Sequence, residues 1–490
     1  MNMAAQCLDH PSDQVAIMDV SGPQNVPIAY GDLTAMTDGL ARALMKQISP
    51  GDRVGVLLSQ TPWCAAAHLA IWKIGAISVP LFKLFKQDAL ATRLSDAGVS
   101  LVLTDAEGRT LVGDLADCWL AEMAGTAGDP VAFAPADADT PAVLIYTSGT
   151  TGKPKGALHG HGVLAGHFPG VRISHDDLGR PDDCLWTPAD WAWIGGLFDV
   201  LMPGLALGVP VVAARLPKFD AATCQTVIAR GQVRNVFFPP TALRMLKAGG
   251  VHLTGLRSVA SGGEPLGAEM LDWGRSALGV TINEFYGQTE CNMVVSSCAS
   301  RFAPEPGCMG QPVPGFDVDV VDENGRPTAG EGDIAIRRGA PSMMLGYWNR
   351  PMETADKFRG DWMLTGDKGQ RAGAFIRFVG RDDDVITSSG YRIGPAEIED
   401  CLLTHPDVAT VGVIGKPDAL RTEIVKAYVV LKAGRTPDGP ALRDYVKTRL
   451  ASHSYPREIE FLDALPMTVT GKVIRKELKA RAAAEAGERI

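Results

Sequence analysis

Residues 14–81 alternate between short apolar runs and longer amphipathic segments. The apolar runs have the length and β-branched content of buried strands, and they read VAIMDV, DRVGVLL and AISVPL. The segments between them, LTAMTDGLARALMKQI and PWCAAAHLAIWKIG, place apolar residues at helical spacing. Because strands that alternate with helices pair in parallel, this pattern predicts an α/β fold built on parallel sheet.

The strand pattern continues to about residue 310 and then changes character. The later buried strands read SLVLTD, AVLIYTS, VPVVAA, VRNVFFPP and LRSVASG. The segment FDVDVVDENGRPTAGEGDIAIRR instead contains Asn-Gly and Gly-Glu-Gly turns, which are typical of antiparallel hairpins. We therefore expect a large domain of mixed α/β sheets that includes a β-rich subdomain.

A charged turn, GRDDD, precedes a second pattern of elements. After it come a helix (PAEIEDCLLTH), two strands (TVGVIG, VKAYVVL), a helix (ALRDYVKTRLASH) and a strand (EIEFLD). This order predicts a small α+β domain, and 490 residues are too many for one compact core. We predict an N-terminal domain at 1–380, a hinge at 381–384 and a C-terminal domain at 385–490. The tail, KELKARAAAEAGERI, is predicted to be a frayed helix.

Composition narrows the functional classes. The net charge of −9 argues against a nucleic-acid or anionic-membrane surface. The nine cysteines are odd in number and contain no CxxC pair, so neither a disulfide framework nor a zinc site is predicted. The N-terminus lacks the pattern of a signal peptide, and the most apolar window, 54–81, is interrupted by Gln60, Pro62 and Lys73. These features predict a cytoplasmic protein without a membrane span.

The stretch YTSGTTGKPKG, from Tyr146 to Gly156, is rich in hydroxyls, glycines and lysines. It is not a Walker P-loop, because Gly149 and Gly152 are three residues apart and Pro154 replaces the magnesium-binding hydroxyl. Its glycines permit backbone N–H groups to converge on an anion. Composition alone leaves two interpretations open, a phosphate-binding loop and a flexible surface loop.

The complete string resembles the phosphate loop of the adenylate-forming enzymes, which include acyl-CoA synthetases, luciferases and the adenylation domains of peptide synthetases. Further motifs of this superfamily follow in order: SGGEPLG, NEFYGQTE, WMLTGDKG, FVGRDDDVITSSGYRIGPAEIE and MTVTGKVIRKELK. The resemblance covers about residues 15–480, and within the superfamily the sequence is most similar to the short- and medium-chain acyl-CoA synthetases. It implies a large N-terminal domain with a small mobile C-terminal domain, and the use of ATP, Mg²⁺ and CoA.

The resemblance also implies which residues bind the nucleotide. Asp367 corresponds to the ribose-binding aspartate, with Arg381 beside it, and Arg392 to a phosphate contact. The β- and γ-phosphates are expected at Thr147, Ser148, Gly149, Thr150, Thr151, Gly152 and Lys155. The adenine is expected between two segments, whose residues are Gly263, Glu264, Pro265, Glu284, Phe285, Tyr286, Gly287 and Gln288.

Catalytic roles follow from the same resemblance. Thr289 is expected to hydrogen-bond the α-phosphate, and Glu290 to hold Mg²⁺, which prefers oxygen ligands. Lys472 corresponds to the catalytic lysine that bridges the carboxylate and the α-phosphate, although composition alone would make it a solvated lysine in a basic segment. Its role makes Lys472 a candidate for acetylation, so a lysine acetyltransferase and deacetylase are candidate partners. A homodimer is left open.

The resemblance further implies a hinge, a CoA path and an acyl pocket. Asp383 occupies the hinge position, about which the small domain rotates between half-reactions. CoA is expected at Gly195, Ser389, Gly390 and Tyr391, and the acyl group at Trp193, Gly287 and Asn292. For Trp193, packing beside Trp191 is an equally good interpretation.

The residue at position 287 bears on the acid. Acetyl-CoA synthetases carry tryptophan where this chain has Gly287, so the pocket is expected to admit acids larger than acetate. The continuation ECNMV departs from the usual pattern, and the polar Asn292 favours a functionalised or aromatic acid.

Three functions from different classes are consistent with these motifs. The leading hypothesis is an ATP-dependent, AMP-forming acid–CoA ligase. The first alternative is a stand-alone adenylation enzyme that loads a separate carrier protein. The second is a non-catalytic nucleotide-binding protein on the same scaffold, which the joint presence of Glu290, Asp367, Arg392 and Lys472 disfavours.

Overall fold

The computed structural model describes residues 2–147, 154–216, 219–263, 266, 268–305, 307–381, 386–451, 453–466, 473 and 475–487. The chain divides into two compact units. The first comprises Met1–Lys83, Leu94–Ile145 and Gly156–Gly380, and the second comprises Leu84–Arg93, Tyr146–Lys155 and Arg381–Ile490.

Twenty-six strands are assigned along the described part of the chain. The first fifteen are β1 (Val15–Asp19), β2 (Val26–Ala29), β3 (Arg53–Leu57), β4 (Ile77–Pro80), β5 (Leu101–Thr104), β6 (Asp117–Leu120), β7 (Pro141–Thr147), β8 (Lys155–Gly160), β9 (Leu185–Trp186), β10 (Val211–Ala213), β11 (Asn235–Phe237), β12 (Ser258–Gly262), β13 (Ile282–Gln288), β14 (Cys291–Ser296) and β15 (Gln311–Pro312). The others are β16 (Val318–Val321), β17 (Gly332–Arg337), β18 (Gly346–Tyr347), β19 (Phe358–Arg359), β20 (Trp362–Ala372), β21 (Phe375–Arg381), β22 (Ile386–Ser388), β23 (Tyr391–Ile393), β24 (Val408–Asp418), β25 (Thr422–Leu431) and β26 (Glu458–Phe461).

The helices lie mostly between the strands. They are α1 (Met3–Leu8), α2 (Tyr30–Leu44), α3 (Pro62–Lys73), α4 (Gln87–Ala97), α5 (Ala106–Val112), α6 (Gly162–Ser174), α7 (Ile194–Gly196), α8 (Met202–Ala206), α9 (Ala221–Gly231), α10 (Pro240–Ala248), α11 (Ala268–Trp273), α12 (Pro351–Asp356), α13 (Pro395–Leu403), α14 (Gly439–Arg449) and α15 (Arg475–Gly487). A π-helical turn, Leu197–Leu201, joins α7 to α8, and a second, Gly274–Leu278, follows α11. No helix in the described segments has both the length and the apolar content to cross a bilayer.

Two large mixed sheets form the main body of the first unit. One has the order β15-β14-β13-β12-β11-β9-β10-β1-β2, and the other has the order β18-β8-β7-β4-β3-β5-β6. Their central pairs are parallel, as in β11–β12–β13 and β4–β3–β5. The α/β fold class predicted from the alternating pattern is therefore confirmed.

Local signals explain where the helices between these strands begin. The Thr61 side chain accepts a hydrogen bond from the Cys64 amide at the start of α3, and Pro62 occupies the first helical position. Asp220 caps α9 in the same way through the Thr223 amide. These caps satisfy amide groups that a helix start leaves without partners.

The segment after residue 310, which was predicted to form hairpins, forms a separate antiparallel sheet in the first unit. Its order is β16-β17-β20-β19, and β21 also pairs with β20. Gly325, from the Asn-Gly turn between β16 and β17, has a positive φ of 76°, which favours glycine. The predicted β-rich subdomain is thus present, and it supplies the strand that carries Asp367.

The second unit contains the C-terminal α+β sheet, with the order β23-β22-β25-β24 and β26 beside β25. The tail differs from the frayed helix that we predicted. Leu478 and Ala482 of α15 are buried, and Glu485 accepts hydrogen bonds from Lys426 of β25. At the start of the same helix, Arg475 donates to both carboxylate oxygens of Glu399, at 2.6 and 2.8 Å. A helix rich in alanine and charge is therefore fixed to the sheet by an apolar stripe and by the Glu485–Lys426 ion pair, and to α13 by the Arg475–Glu399 ion pair.

Candidate active site

Asp367 is held by two side chains from the end of β13. The Tyr286 hydroxyl donates to Asp367 Oδ2 at 2.5 Å, and Gln288 Nε2 donates to the same oxygen at 2.9 Å. Gln288 Nε2 also donates to the Thr365 carbonyl at 2.7 Å, which ties β13 to β20. The structure therefore brings together three residues that the sequence predicted to bind the nucleotide, and it fixes the orientation of the carboxylate.

Glu290 lies in the turn between β13 and β14 and is 8% exposed. The Tyr347 hydroxyl donates to Glu290 Oε1 at 2.5 Å, and the Met344 amide donates to the Glu290 carbonyl at 2.7 Å. Tyr347 belongs to β18, where it pairs with Ala157 of β8. The carboxylate is thus anchored to β18, which pairs with the strand that follows the predicted phosphate loop.

The predicted phosphate loop is described only at its two ends. Thr147 ends β7 and Lys155 begins β8, and the Thr147 hydroxyl donates to the Lys155 carbonyl at 3.4 Å. Several other predicted site residues lie outside the described residues: Ser148, Gly149, Thr150, Thr151, Gly152, Glu264, Pro265, Asp383 and Lys472. Arg381 is the last residue of β21, and Arg392 lies in β23. Only the backbones of these two arginines belong to the described part of the chain.

Glu284 and Phe285 support the loop that was predicted to contact adenine. Glu284 accepts a hydrogen bond from the Leu266 amide at 3.0 Å, and burial raises the pKa of its carboxyl to about 7. Phe285 packs against Phe237 with ring centroids 5.1 Å apart, and its ring covers Gly262, where a β-carbon would lie 2.6 Å away. Gly263 follows with a positive φ of 98°. Glu284 and Phe285 thus contact the described residues at the two ends of this loop, Leu266 and Gly262.

Trp193 borders the same region. Its indole ring lies 3.6 Å from the position of a β-carbon on Gly263, and its centroid is 6.5 Å from that of Phe237. Trp191 is fully buried, whereas Trp193 is only partly buried. Trp193 therefore packs against the core with part of its surface exposed beside Gly263, whereas Trp191 is wholly enclosed.

The space beside Gly287 differs from what the sequence led us to expect. A β-carbon on Gly287 would lie 2.4 Å from Asn292 Oδ1, 2.4 Å from the Met293 amide nitrogen and 2.7 Å from the Asn292 α-carbon. The missing side chain therefore does not leave an open volume at this point, because the strand β14 and the Asn292 amide fill it. A glycine is required here by close backbone approach.

Sequence reasoning missed a group of buried polar side chains next to Asn292. We call His167, Asp199 and Asn292 the polar cluster. Asn292 Nδ2 donates to Asp199 Oδ1 at 2.7 Å, and His167 Nε2 lies 3.8 Å from the same oxygen. Burial raises the pKa of Asp199 well above its ordinary value and lowers the pKa of His167 to about 4. The available signal was a single aspartate inside the apolar run IGGLFDVLM.

The predicted CoA-binding residues of the second unit form the turn between β22 and β23. Ser389 and Gly390 have positive φ values of 56° and 78°. The Ser389 hydroxyl accepts a hydrogen bond from Arg421 at 2.9 Å, and the Tyr391 ring stacks on His453 with centroids 3.8 Å apart. These contacts join the turn to Arg421 and His453. Gly195, the fourth predicted CoA residue, lies beside Phe237 and Asp199 in the first unit.

In the segments that the structure describes, no three His, Cys, Asp or Glu side chains are grouped so that they could hold a metal ion. Glu290 nevertheless fits Mg²⁺, because a carboxylate held by a neutral phenol presents the oxygen donors that this ion prefers.

Comparisons with known proteins agree with this site. The family of AMP-binding enzymes matches residues 3–348, and the C-terminal domain of AMP-binding enzymes matches residues 397–472. The chain is 34% identical to acetyl-coenzyme A synthetase of Bacillus subtilis (strain 168) over 466 residues, which cover 88% of this chain and 81% of the relative. It is 31% identical to the mitochondrial acyl-coenzyme A synthetase ACSM4 of Homo sapiens, with 98% and 90% covered.

The fold also matches a solved structure. This is o-succinylbenzoate CoA synthetase from Bacillus subtilis bound with a product analogue, with a TM-score of 0.87, 27% identity and 98% of each chain covered. Sequence, fold and site agree, and the chain belongs to the AMP-binding enzymes, the adenylate-forming superfamily, in its acyl-CoA synthetase branch.

Proposed function

We propose that this protein is an ATP-dependent, AMP-forming acid–CoA ligase. Family membership and the relatives named acetyl- and acyl-coenzyme A synthetases support this activity. The structural observation that carries it is the pairing of Tyr286 and Gln288 with Asp367, at one end of a turn whose other end holds Glu290. The end of β13 thus holds Asp367, the carboxylate proposed for ribose, and the turn after β13 carries Glu290, the carboxylate proposed for the metal.

The reaction has two half-reactions. First, an oxygen of the substrate carboxylate bonds to the α-phosphorus of ATP, and the bond from that phosphorus to the bridging oxygen of pyrophosphate breaks. Second, the CoA thiolate bonds to the acyl carbon, and AMP departs with the electron pair of the acyl–oxygen bond. Since the first step joins two anions, positioning and charge neutralisation must provide most of the catalysis.

The described residues have distinct tasks toward ATP. Asp367 accepts hydrogen bonds from the ribose hydroxyls, Tyr286 presents its ring to adenine, and Thr289 hydrogen-bonds the α-phosphate. Thr147 and Lys155 frame the loop for the β- and γ-phosphates. Lys472 and Arg392 are proposed to neutralise the reacting groups, which a compact ammonium on a flexible stem and a guanidinium do well.

Mg²⁺ would be held by Glu290, with phosphate oxygens and water as its remaining ligands. When bound, it neutralises phosphate charge. Tyr347 serves this site by holding one oxygen of Glu290, which orients the carboxylate before any ligand arrives.

The second half-reaction is assigned to the C-terminal unit. We propose that Ser389, Gly390 and Tyr391 line the pantetheine path after rotation about Asp383, since Arg421 hydrogen-bonds their turn and glycine permits close approach. The domain limits 1–380, 381–384 and 385–490, a cytoplasmic location, a homodimer and acetylation of Lys472 stay predictions.

The acid is proposed to be short or medium in chain length, or a functionalised relative of that size. Trp193 and Asn292 are the residues proposed to contact it or to lie at its edge. Loading of a separate carrier protein remains the alternative for the second half-reaction, and dependence on CoA separates the two.

One experiment tests the activity. The protein is incubated with ATP, Mg²⁺, CoA and a panel of straight, branched, aromatic and hydroxylated carboxylic acids, and AMP and acyl-CoA are measured together. AMP release that requires both acid and CoA is expected, and Asp367→Asn is expected to lower it strongly. Pyrophosphate exchange without a CoA thioester would favour a carrier protein, and no acid-dependent AMP or exchange would overturn the proposal.

A further inference from the structure

A groove of about 710 Å³ lies on the surface of the first unit, beside β18. Residues 345–350 form one side, α12 forms another, and the lining is completed by Leu158, Arg338, Phe358 and Gly360. We call this space the β18 groove. None of the described residues proposed to bind ATP, CoA or the acyl group lines it. Cavities of this size hold small organic molecules, so the chemistry of the lining indicates which class is accepted.

Arg338 supplies the groove with an available positive charge. The residue is exposed, and its guanidinium lies over the Phe358 ring, 3.8 Å from the centroid. The carboxylates of Asp317 and Asp361 pair with the neighbouring Arg337 instead, at 3.0 and 3.5 Å. Among the residues that the structure describes, no carboxylate forms an ion pair with Arg338. A cation that rests on an aromatic face and is not neutralised is suited to an anionic ligand.

Arg350 also borders the groove, but its charge is compensated. Its guanidinium donates to Asp96 Oδ1 at 2.9 Å. The Trp348 indole donates to the Asp96 carbonyl at 3.2 Å, which fixes the same corner of the groove. The described lining therefore offers one uncompensated positive charge, and this favours a monoanion over a phosphate dianion.

The groove also has an apolar wall, whose parts are joined by hydrogen bonds. Its members are Leu158, Leu345, Pro351, Ala355 and Phe358, and Leu345 is 39% exposed. The Leu345 amide donates to the Leu158 carbonyl at 2.7 Å, and the Tyr347 amide donates to the Thr354 hydroxyl oxygen at 2.9 Å. Because these bonds join β18 to β8 and to α12, the wall is formed before a ligand arrives, which lowers the cost of binding.

We propose that the β18 groove is a second binding site, which takes a carboxylic acid with an apolar body. The carboxylate pairs with Arg338, and the apolar body lies along Leu158, Leu345 and Phe358. An ammonium compound is disfavoured by repulsion, and a neutral alcohol leaves the guanidinium without a counter-charge. The inference goes beyond the proposed function, because this site is separate from the one in which the acid is activated. A bound acid lies against the strand whose Tyr347 holds Glu290.

Calorimetric titration with octanoate as the probe tests this site. The candidate active site is first filled with 5′-O-(N-octanoylsulfamoyl)adenosine, an unreactive analogue of an acyl-adenylate, so that octanoate reports on other sites. The parent is expected to bind one equivalent of octanoate under these conditions. 1-Octanol and octylammonium are expected to bind at least tenfold more weakly. Butanoate is expected to do the same, because each methylene group that leaves water changes the affinity roughly fourfold.

Variants locate the bound octanoate. Arg338→Gln removes the charge and is expected to weaken binding roughly tenfold or more, whereas Arg338→Lys keeps a charge without the guanidinium fork and is expected to fall between. Ala355→Trp, at an exposed position of α12, fills the groove and is expected to abolish binding. Arg337→Gln alters an exposed neighbouring arginine that is not part of the described lining, and it should leave binding unchanged.

Three results would overturn the inference. Absence of octanoate binding in the parent would show that the groove is not a site for such acids. Equal binding of octanol would remove the role of Arg338, and unchanged binding in both Arg338→Gln and Ala355→Trp would place the octanoate elsewhere. These measurements need no turnover, so they stand whether or not AMP is released, and the two variants locate the site even if the adenylate analogue does not bind.

Discussion

The amide oxygen of Asn292 lies 2.4 Å from the position that a β-carbon on Gly287 would occupy. This contact joins the end of β13 to the start of β14 and closes the volume that an absent side chain would otherwise open. The Met293 amide nitrogen lies equally near, so no side-chain rotation of Asn292 alone makes room.

Gly287→Ala is therefore expected to destabilise the protein by about 1–3 kcal/mol, because one methyl group must displace backbone. Urea unfolding of the variant and of Gly22→Ala measures this effect. Gly22 is a suitable control, since its β-carbon position meets only the Gln24 carbonyl oxygen, at 3.9 Å, and neither Gly22 nor Gly287 has a positive φ. Equal losses of unfolding free energy in the two variants would show that the contact with β14 does not affect stability.

Tyr286→Phe removes one of two donors to Asp367 Oδ2 and leaves Gln288 in place. A single hydrogen bond contributes about 1 kcal/mol, so KM for ATP is expected to rise roughly fivefold with little change in KM for CoA. Steady-state kinetics with each substrate varied in turn checks this. Tyr455→Phe, in the C-terminal unit, is the matched control, and an unchanged KM for ATP in Tyr286→Phe would contradict the role of the pair.

Tyr347→Phe deletes the donor to Glu290 Oε1 without touching the carboxylate. Because an outer hydrogen bond orients a metal ligand, the Mg²⁺ concentration for half-maximal activity is expected to rise about tenfold or more. Activity measured over a series of Mg²⁺ concentrations checks this. If activity falls equally at all concentrations, Tyr347 acts on something other than metal binding.

Glu284 makes stability depend on pH. Burial raises its pKa to about 7 in the folded protein, so the folded state binds more protons than the unfolded state between the unfolded pKa and 7. Its contribution is therefore fully present at acid pH and is lost as the pH rises through 7. Glu284→Gln keeps an acceptor for the Leu266 amide and is expected to be up to roughly 3 kcal/mol more stable than the parent at pH 8, with little difference at pH 4.5.

Urea unfolding at both pH values checks the Glu284 prediction. Glu323→Gln, at an exposed position, should show no comparable change. A parallel loss of stability with pH in the parent and in Glu284→Gln would place the dependence on another group.

Lys472→Ala should separate the half-reactions. Removing the ammonium is expected to lower acyl-adenylate formation by several orders of magnitude, because two anions then meet without a bridging charge. Thioester formation from a supplied acyl-adenylate should remain within a few fold of the parent. Lys479→Ala, in α15, is the control, and equal losses in both half-reactions would contradict the assignment.

Much of the fold follows from local patterns. The runs VAIMDV and DRVGVLL became β1 and β3 because a buried parallel strand needs little beyond a short apolar β-branched segment. The tail was harder to predict, since α15 owes its order to Leu478 on the sheet and to Glu485 beside Lys426, and both partners are distant in sequence.

The site shows the same limit. Asp367 and Glu290 could be predicted because the motifs WMLTGDKG and NEFYGQTE resemble those of the superfamily. Asp199 and His167 could not, because their meaning arises only where the turn 197–201, α6 and β14 converge. Gly287 was recognised as important, but the direction of its effect depended on Asn292, which no spacing reveals.

The anchoring of α15 limits how far Lys472, the proposed catalytic lysine, can move independently of the rest of the C-terminal sheet. Arg475 is paired with Glu399, and Lys472 precedes Arg475 by three residues. Even a fully extended chain therefore allows no more than roughly 10 Å between the α-carbons of the two residues. Loop motion alone therefore cannot move the ammonium between two distant positions. A larger displacement requires the C-terminal sheet to move together with Lys472, so the position of this charge follows the position of the whole domain.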